Sequence, residues 1–207
     1  MNTRLSKEDG FTLPEMLVTM VIMVVVLFAL YSIFDMGLRV FSFGNNKVEA
    51  TENARLGLEK MEREVRAAYA YDRGNPTSPD THLLDNMGVH QITFANDLGA
   101  GDRVVDPSTE KIAYSVSGTT LQRSVGLGAP QPVVEYLVPD NPSTPADETG
   151  LKIEYLKQGS GIALVPTATE SEVRVVRITL RVEVDGGAAG PVRQTLTTDV
   201  ALRNRGG

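Results

Sequence analysis

The chain has 207 residues, no cysteine and a formal net charge of −6. Disulfides and thiolate metal sites are excluded, and the acidic balance argues against a nucleic-acid surface, which shows a basic patch or a high pI. With a leader and an apolar segment set aside, enough chain is left for one modest core.

A short polar leader ends in Gly10, and Phe11 and Glu15 follow, four residues apart. Met16–Phe34 is then apolar except for Thr19, Tyr31 and Ser32. A bilayer-spanning helix needs roughly 20 such residues. The run is too long for a signal-peptide core of about 7–15 residues, and no small-x-small cleavage site follows it. Arg4 and Lys7 precede the span and favour the cytoplasmic side. The chain from Asp35 onward is therefore expected outside, although Arg39 and Lys47 weaken the asymmetry. Glu15 is the costly residue, because a charge at a helix centre in lipid costs roughly 2.5–3.5 kcal/mol, and less near an end. Such a residue needs a partner. A chain cut after Gly10 would supply one, the new amine of Phe11, from its own subunit or a neighbour.

Gly10-Phe11-Thr12-Leu13-Pro14-Glu15 followed by an apolar helix resembles the class III leader of type IV prepilins and pseudopilins. The resemblance covers about residues 4–34. It implies cleavage after Gly10 by a prepilin peptidase, N-methylation of Phe11, and a role for Glu15 in docking the subunit into a filament. Pro14 is tolerable because the first helical turn has no use for its N–H groups. Leu13, Leu17, Val18, Val21, Val24, Val25 and Phe28 would supply packing surface, though any membrane anchor needs the same. The implied protein is a non-enzymatic subunit without a cofactor. Its partners would be other pilins or pseudopilins, the peptidase/methyltransferase, the assembly platform and the membrane, with no nucleic acid. It would sit in the cytoplasmic membrane by a single pass and later enter a pilus or pseudopilus at the cell surface.

Residues 1–10 are thus read as leader, 11–34 as membrane and assembly helix, 35–71 as its amphipathic continuation and 72–207 as a β-rich domain. In the continuation, Ala54, Leu58, Met61, Val65 and Ala68 form one apolar stripe at helical spacing. Charged residues from Glu52 to Arg66, Glu64 among them, fill the other faces and read as solvated. Glu59–Arg63 and Glu62–Arg66 are i,i+4 pairs in the favourable order. Gly37 and Gly44 each cost about 1 kcal/mol against alanine in a helix. They fit either a weakened, kinked helix or a hinge.

Gly74–Thr81, with Pro76 and Pro79, ends the helix. Strands are expected at Val89–Phe94, Lys111–Val116, Thr120–Val125, Val133–Val138, Leu151–Leu156, Ile162–Val165, Glu172–Asp185 and Val192–Leu202. Lys111–Val125 reads as a hairpin about Gly118, and the last two strands as an antiparallel hairpin. A phase change between Val176 and Ile178 suggests a bulge or a strand buried on both sides. The fold class is α+β, a long N-terminal helix packed on an antiparallel sheet, as the pilin resemblance also implies. "RLGLEKMEREVRAA", "KIAYSVSGTTLQRSV" and "TTDVALRNR" are similar in flavour to minor subunits, including the J-type minor pseudopilin of type II secretion.

Few residues suggest other chemistry. His82 and His90 are the only histidines, and a zinc site needs more convergent ligands. No serine has a Gly-x-Ser-x-Gly context, and no P-loop or dinucleotide fingerprint is present. Asn96, Asp97, Asp102 and Asp106 supply oxygens near Gly99 and Gly101. Calcium takes six to eight oxygens, and some pseudopilins bind it. The spacing does not fit an EF-hand, and a solvated turn is the better reading. The loop of Asp140, Asn141, Asp147 and Glu148 reads the same way.

Overall fold

A computed structural model describes residues 10–69, 71–72, 81–96, 106, 108–139, 148–160, 163–185 and 190–202. The fold is α+β, with one long helix and two antiparallel sheets. Helix α1 runs from Leu13 to Arg66, and the chain forms two compact units, residues 1–45 and 46–207. Helical structure continues through Gly37 and Gly44 without interruption.

In the second unit α1 buries Ala50, Ala54, Gly57, Leu58, Met61 and Val65. This is the expected stripe extended one turn backwards. The helix stops five residues short of the expected Tyr71. The Ala68 amide already bonds the Val65 carbonyl, and the Tyr69 amide turns away to the Ala95 carbonyl. The backbone thus leaves the helix for the end of a strand, where the Ala95 carbonyl satisfies the Tyr69 donor.

Strands β1 (Tyr71–Asp72) and β2 (Thr81–His82) form a small pair. The first main sheet is a meander of β3 (Leu84–Met87), β4 (Gln91–Ala95), β5 (Lys111–Ser117), β6 (Thr120–Val125) and β7 (Gln131–Val134), in that spatial order. The β5–β6 hairpin falls where the alternation placed it, and Gly118 takes φ +61° in its turn. Strand β4 starts two residues later than expected, because Gly88 to Gln91 form a turn closed by the Gly88 amide on the Gln91 carbonyl. Strand β7 lies earlier than Val133–Val138. Tyr136 adopts φ +62°, a left-handed conformation that breaks a strand. Beyond it Leu137 bridges Val182 of the second sheet, so 135–138 carries the chain between sheets.

The second sheet has the order β11–β10–β8–β9. It is built from β8 (Leu151–Gln158), β9 (Leu164–Pro166), β10 (Val175–Val184) and β11 (Val192–Ala201). A 3-10 turn, Glu170–Glu172, precedes β10. Of the two readings of the phase change, a bulge is absent, while Ile178, Thr179 and Leu180 are buried in succession. Ten consecutive residues of β10 pair with β11 without a shift, and six pair with β8. Val173 lies outside the strand, so its phase is not the strand's. The buried alternation is Val176, Ile178, Leu180, Val182 and Val184.

The core lies between α1 and the two sheets, with Met61, Val65, Phe94, Tyr114, Ile178 and Leu180 among its fully buried side chains. Phe94 and Tyr114 stack at 6.3 Å. At Gly57 helix and sheet approach closely, since a Cβ there would strike the Val134 side chain. Overpacking at a stiff β-branched neighbour costs about 1–3 kcal/mol, more than the helix-propensity gain of about 1 kcal/mol. Gly57→Ala should therefore lower the thermal midpoint by a few degrees. Gly44→Ala, with nothing within 4 Å of its Cβ, should not.

The N-terminal segment as candidate functional site

The backbone at the start of α1 is set by Thr12, whose carbonyl accepts from the Glu15 amide at 3.0 Å and the Met16 amide at 3.1 Å. Pro14 sits in the first turn, where its missing N–H leaves no bond unmade. Glu15 occupies the same turn, where a carboxylate complements the positive end of the helix dipole. Gly10 has open space around it, and Phe11 is 76% exposed. Among the described residues no side chain pairs with Glu15.

The apolar face continues all round the helix. Leu17, Val21, Val24, Val25, Phe28 and Phe34 are all exposed. The most apolar 18-residue window has a mean hydropathy of 2.8, and none of it is buried. Two of the polar interruptions are neutralised locally. Thr19 Oγ1 donates to the Met16 carbonyl at 2.9 Å, and Ser32 Oγ to the Phe28 carbonyl at 3.0 Å. Such back-bonding removes the penalty of a bare hydroxyl in hydrocarbon. The helix is long and apolar enough to cross a membrane, which supports a membrane-anchored topology.

Residues 5–31 match the family model of the prokaryotic N-terminal methylation motif. The matched stretch holds Gly10, Phe11 and Glu15 and runs into the apolar helix. No curated protein matches the chain. A prepilin-like methylation motif, an apolar helix and an α+β domain thus stand together in one chain, consistent with the pilin and pseudopilin superfamily.

The other candidate residues are placed differently. Asp97 and Asp102 lie outside the described residues, as does the His82 side chain. Asp106 is engaged in a turn, where its Oδ1 accepts from the Ser108 amide at 2.8 Å and the Ser108 hydroxyl at 2.7 Å. The Ser108 hydroxyl, then its amide, hold the Asp106 carboxyl below the usual range. Among the described residues no group of three or more His, Asp or Glu could hold a metal. His90 joins the sheets, with Nδ1 2.7 Å from the Leu151 carbonyl and 3.3 Å from Thr149 Oγ1.

Glu64 is the residue that sequence reasoning misplaced. It is not on a solvated face. Its Oε2 accepts from the Tyr114 hydroxyl at 2.7 Å and from Arg123 Nε at 2.9 Å, with both charged side chains less than a fifth exposed. Burial, then the Glu64 hydrogen bond, pushes the Tyr114 phenol well above its usual range. Burial alone would lower the Arg123 pKa, but the hydrogen bond and charge of Glu64 raise it. Glu62 accepts from Thr198 of β11 at 3.1 Å and also pairs with Arg66. Glu59 takes Arg55. The helix is therefore tied by hydrogen bonds to both sheets. Nothing in the sequence separates Glu64 from its charged neighbours except that it adjoins Val65 of the apolar stripe.

Proposed function

We propose that this chain is a non-enzymatic structural subunit, a pilin or pseudopilin, cleaved after Gly10, methylated at Phe11 and assembled into a filament. The observation that carries the reading is the methylation motif over residues 5–31 leading directly into an unburied apolar helix. Before assembly, residues 11–34 hold the subunit in the cytoplasmic membrane, with the sheet-rich unit outside. On assembly the apolar helix packs against those of other subunits, and Glu15 pairs with the amine of Phe11, its own or a neighbour's. The peptidase/methyltransferase, the assembly platform and other pilins are the partners.

Within this class a minor subunit is favoured, of a type IV pilus or a type II secretion pseudopilus, on the flavour of "RLGLEKMEREVRAA" and "TTDVALRNR". A major pilin is separated from it by abundance in sheared filaments. A competence pseudopilin or adhesin is separated by DNA binding, which the net charge of −6 disfavours. An unrelated signal-anchored exported domain is separated by its N-terminus.

Mass spectrometry of the intact protein from its own membranes tests the reading. The expected terminus is Phe11 carrying one additional methyl group. A terminus at Met1 or Asn2 refutes processing and leaves a signal anchor.

A further inference from the structure

The apolar surface of α1 does not end with the membrane span. Met16–Phe34 rises about 29 Å as a helix, which already matches a hydrocarbon thickness of about 30 Å. Helical structure runs on through residues 35–44, and Met36, Leu38, Val40 and Phe41 there are 53–69% exposed. Asp35, Arg39 and Ser42 are the polar residues of that stretch. They recur at four-three spacing, so at ~100° per residue they share one strip about 60° wide. Within it Arg39 Nε donates to Asp35 Oδ2 at 2.9 Å. The rest of the circumference is apolar or glycine. Gly37 and Gly44 lie directly opposite the strip, with Val40 and Phe41 beside them, and a Cβ at either glycine would meet nothing within 4 Å.

A helix laid on one partner needs an apolar arc of roughly 100°, and this arc is about three times as wide. We propose that residues 36–44 pack against the same stretch of α1 from neighbouring pilin-class subunits running in the same direction, with the Gly37–Gly44 side turned inward and the strip of Asp35, Arg39 and Ser42 left in water. This packing rests on the filament subunit proposed above and fixes two things in it: how far along α1 the contact reaches and which way the helix is turned.

The contact is continuous with the packing proposed for residues 11–34, since no break in the helix separates the two stretches. So wide an arc is covered by several neighbours and not by one. Uncovered, it would be a contiguous apolar patch of the kind that marks an interaction site. The strip turns to solvent because moving an ion pair out of water costs more than its attraction returns. Glycines on the inward side let neighbouring backbones approach closely. Parallel packing leaves every membrane span at the same end of the assembly.

Gly44→Leu in the full chain tests the packing. In the isolated subunit the new side chain enters open space, and leucine favours a helix over glycine, so neither the membrane level nor the thermal midpoint should fall. Against a close neighbour it overpacks, and the amount in sheared filaments should drop at least about tenfold. Gly44→Ala stiffens the helix as much but adds one methyl, and should stay within about threefold of wild type. Equal loss in both variants makes Gly44 a hinge, and wild-type incorporation of Gly44→Leu leaves the face unoccupied. Either result overturns the packing. Introduced cysteines read the rotation, because the chain has none of its own. A membrane-impermeant maleimide should label Val40→Cys and Ser42→Cys alike in the membrane fraction, and only Ser42→Cys in filaments. Protection of Val40→Cys already in membranes would place the stretch in lipid, and equal labelling of both in filaments would leave it uncovered. Each of these overturns the packing too. The N-terminus separates the two levels of failure. A start at Met1 or Asn2 removes the filament subunit and this contact together, whereas a methylated Phe11 beside any of the adverse results removes the contact alone.

Discussion

Replacing Glu15 by valine is expected to leave the protein in the membrane and to remove it from sheared filaments. The substitution deletes a charge from the edge of an otherwise apolar span, so insertion becomes easier. Glu15 lies in an exposed first turn, and in the proposed membrane-bound state it would reach the interface. Packed among other helices it would lose that water. A carboxylate there is tolerable only against a cation, which in the proposed mechanism is the amine of Phe11. Valine leaves that amine buried and unpaired. Breaking a buried pair by removing one partner costs about 3–5 kcal/mol, about a hundredfold to several-thousandfold in the partition of the subunit into filaments. Membrane fractionation read beside immunoblots of sheared filaments would show the effect. Wild-type incorporation of the valine variant would remove Glu15 from the mechanism.

Glu64→Leu should be the most damaging single change to the polar ties of the sheet-rich unit. It removes the acceptor shared by the Tyr114 hydroxyl and Arg123. Hydrogen bonds to a charged group contribute about 1.5–3 kcal/mol each, and a stranded donor adds its desolvation. A loss of about 3 kcal/mol is expected, near 10 °C in the thermal midpoint for a unit of this size. Glu64→Gln keeps an acceptor and should recover part of the loss. Adding both Arg123→Met and Tyr114→Phe to Glu64→Leu should recover most of it, because matched apolar side chains then replace the ion pair and the stranded hydroxyl at little cost. A midpoint within about 2 °C of wild type for Glu64→Leu would instead rank the cluster with ordinary surface pairs, worth about 0–1 kcal/mol.

The parts of the fold that the sequence exposes are those where one physical signal acts alone. The stripe from Ala54 to Ala68 and the alternation in β5, β6, β10 and β11 report burial on one face, and burial sets both periodicities. Where a second influence enters, the reading drifts. Strand β3, Leu-Asp-Asn-Met, carries two polar residues and owes its place to pairing with β4. Strand β7 contains Pro132, which an edge tolerates, and its end is decided by the turned backbone at Tyr136. The division into two sheets depends on that same turn and leaves no mark in composition. At the N-terminus the motif is legible because Gly10, Phe11 and Glu15 fall within six consecutive residues ahead of the apolar run. The Glu64 cluster is not, because its partners are 50 and 59 residues away.

The order of strands also sets a timetable for folding. In the first sheet each strand lies beside its neighbour in sequence, β3 through β7, so it can assemble piece by piece as the polypeptide is delivered. The second sheet cannot. Its strand β10 bonds β8 across the intervening β9, and its outer strand β11 follows β10 in the chain. Pairings that span long stretches of chain form slowly. The folding chain would thus pass through a stage with one finished sheet and one open, apolar row at Ile178, Leu180 and Val182. That half-built stage is where a chaperone or a protease would find its opportunity, and closing it requires the ten residues of β11.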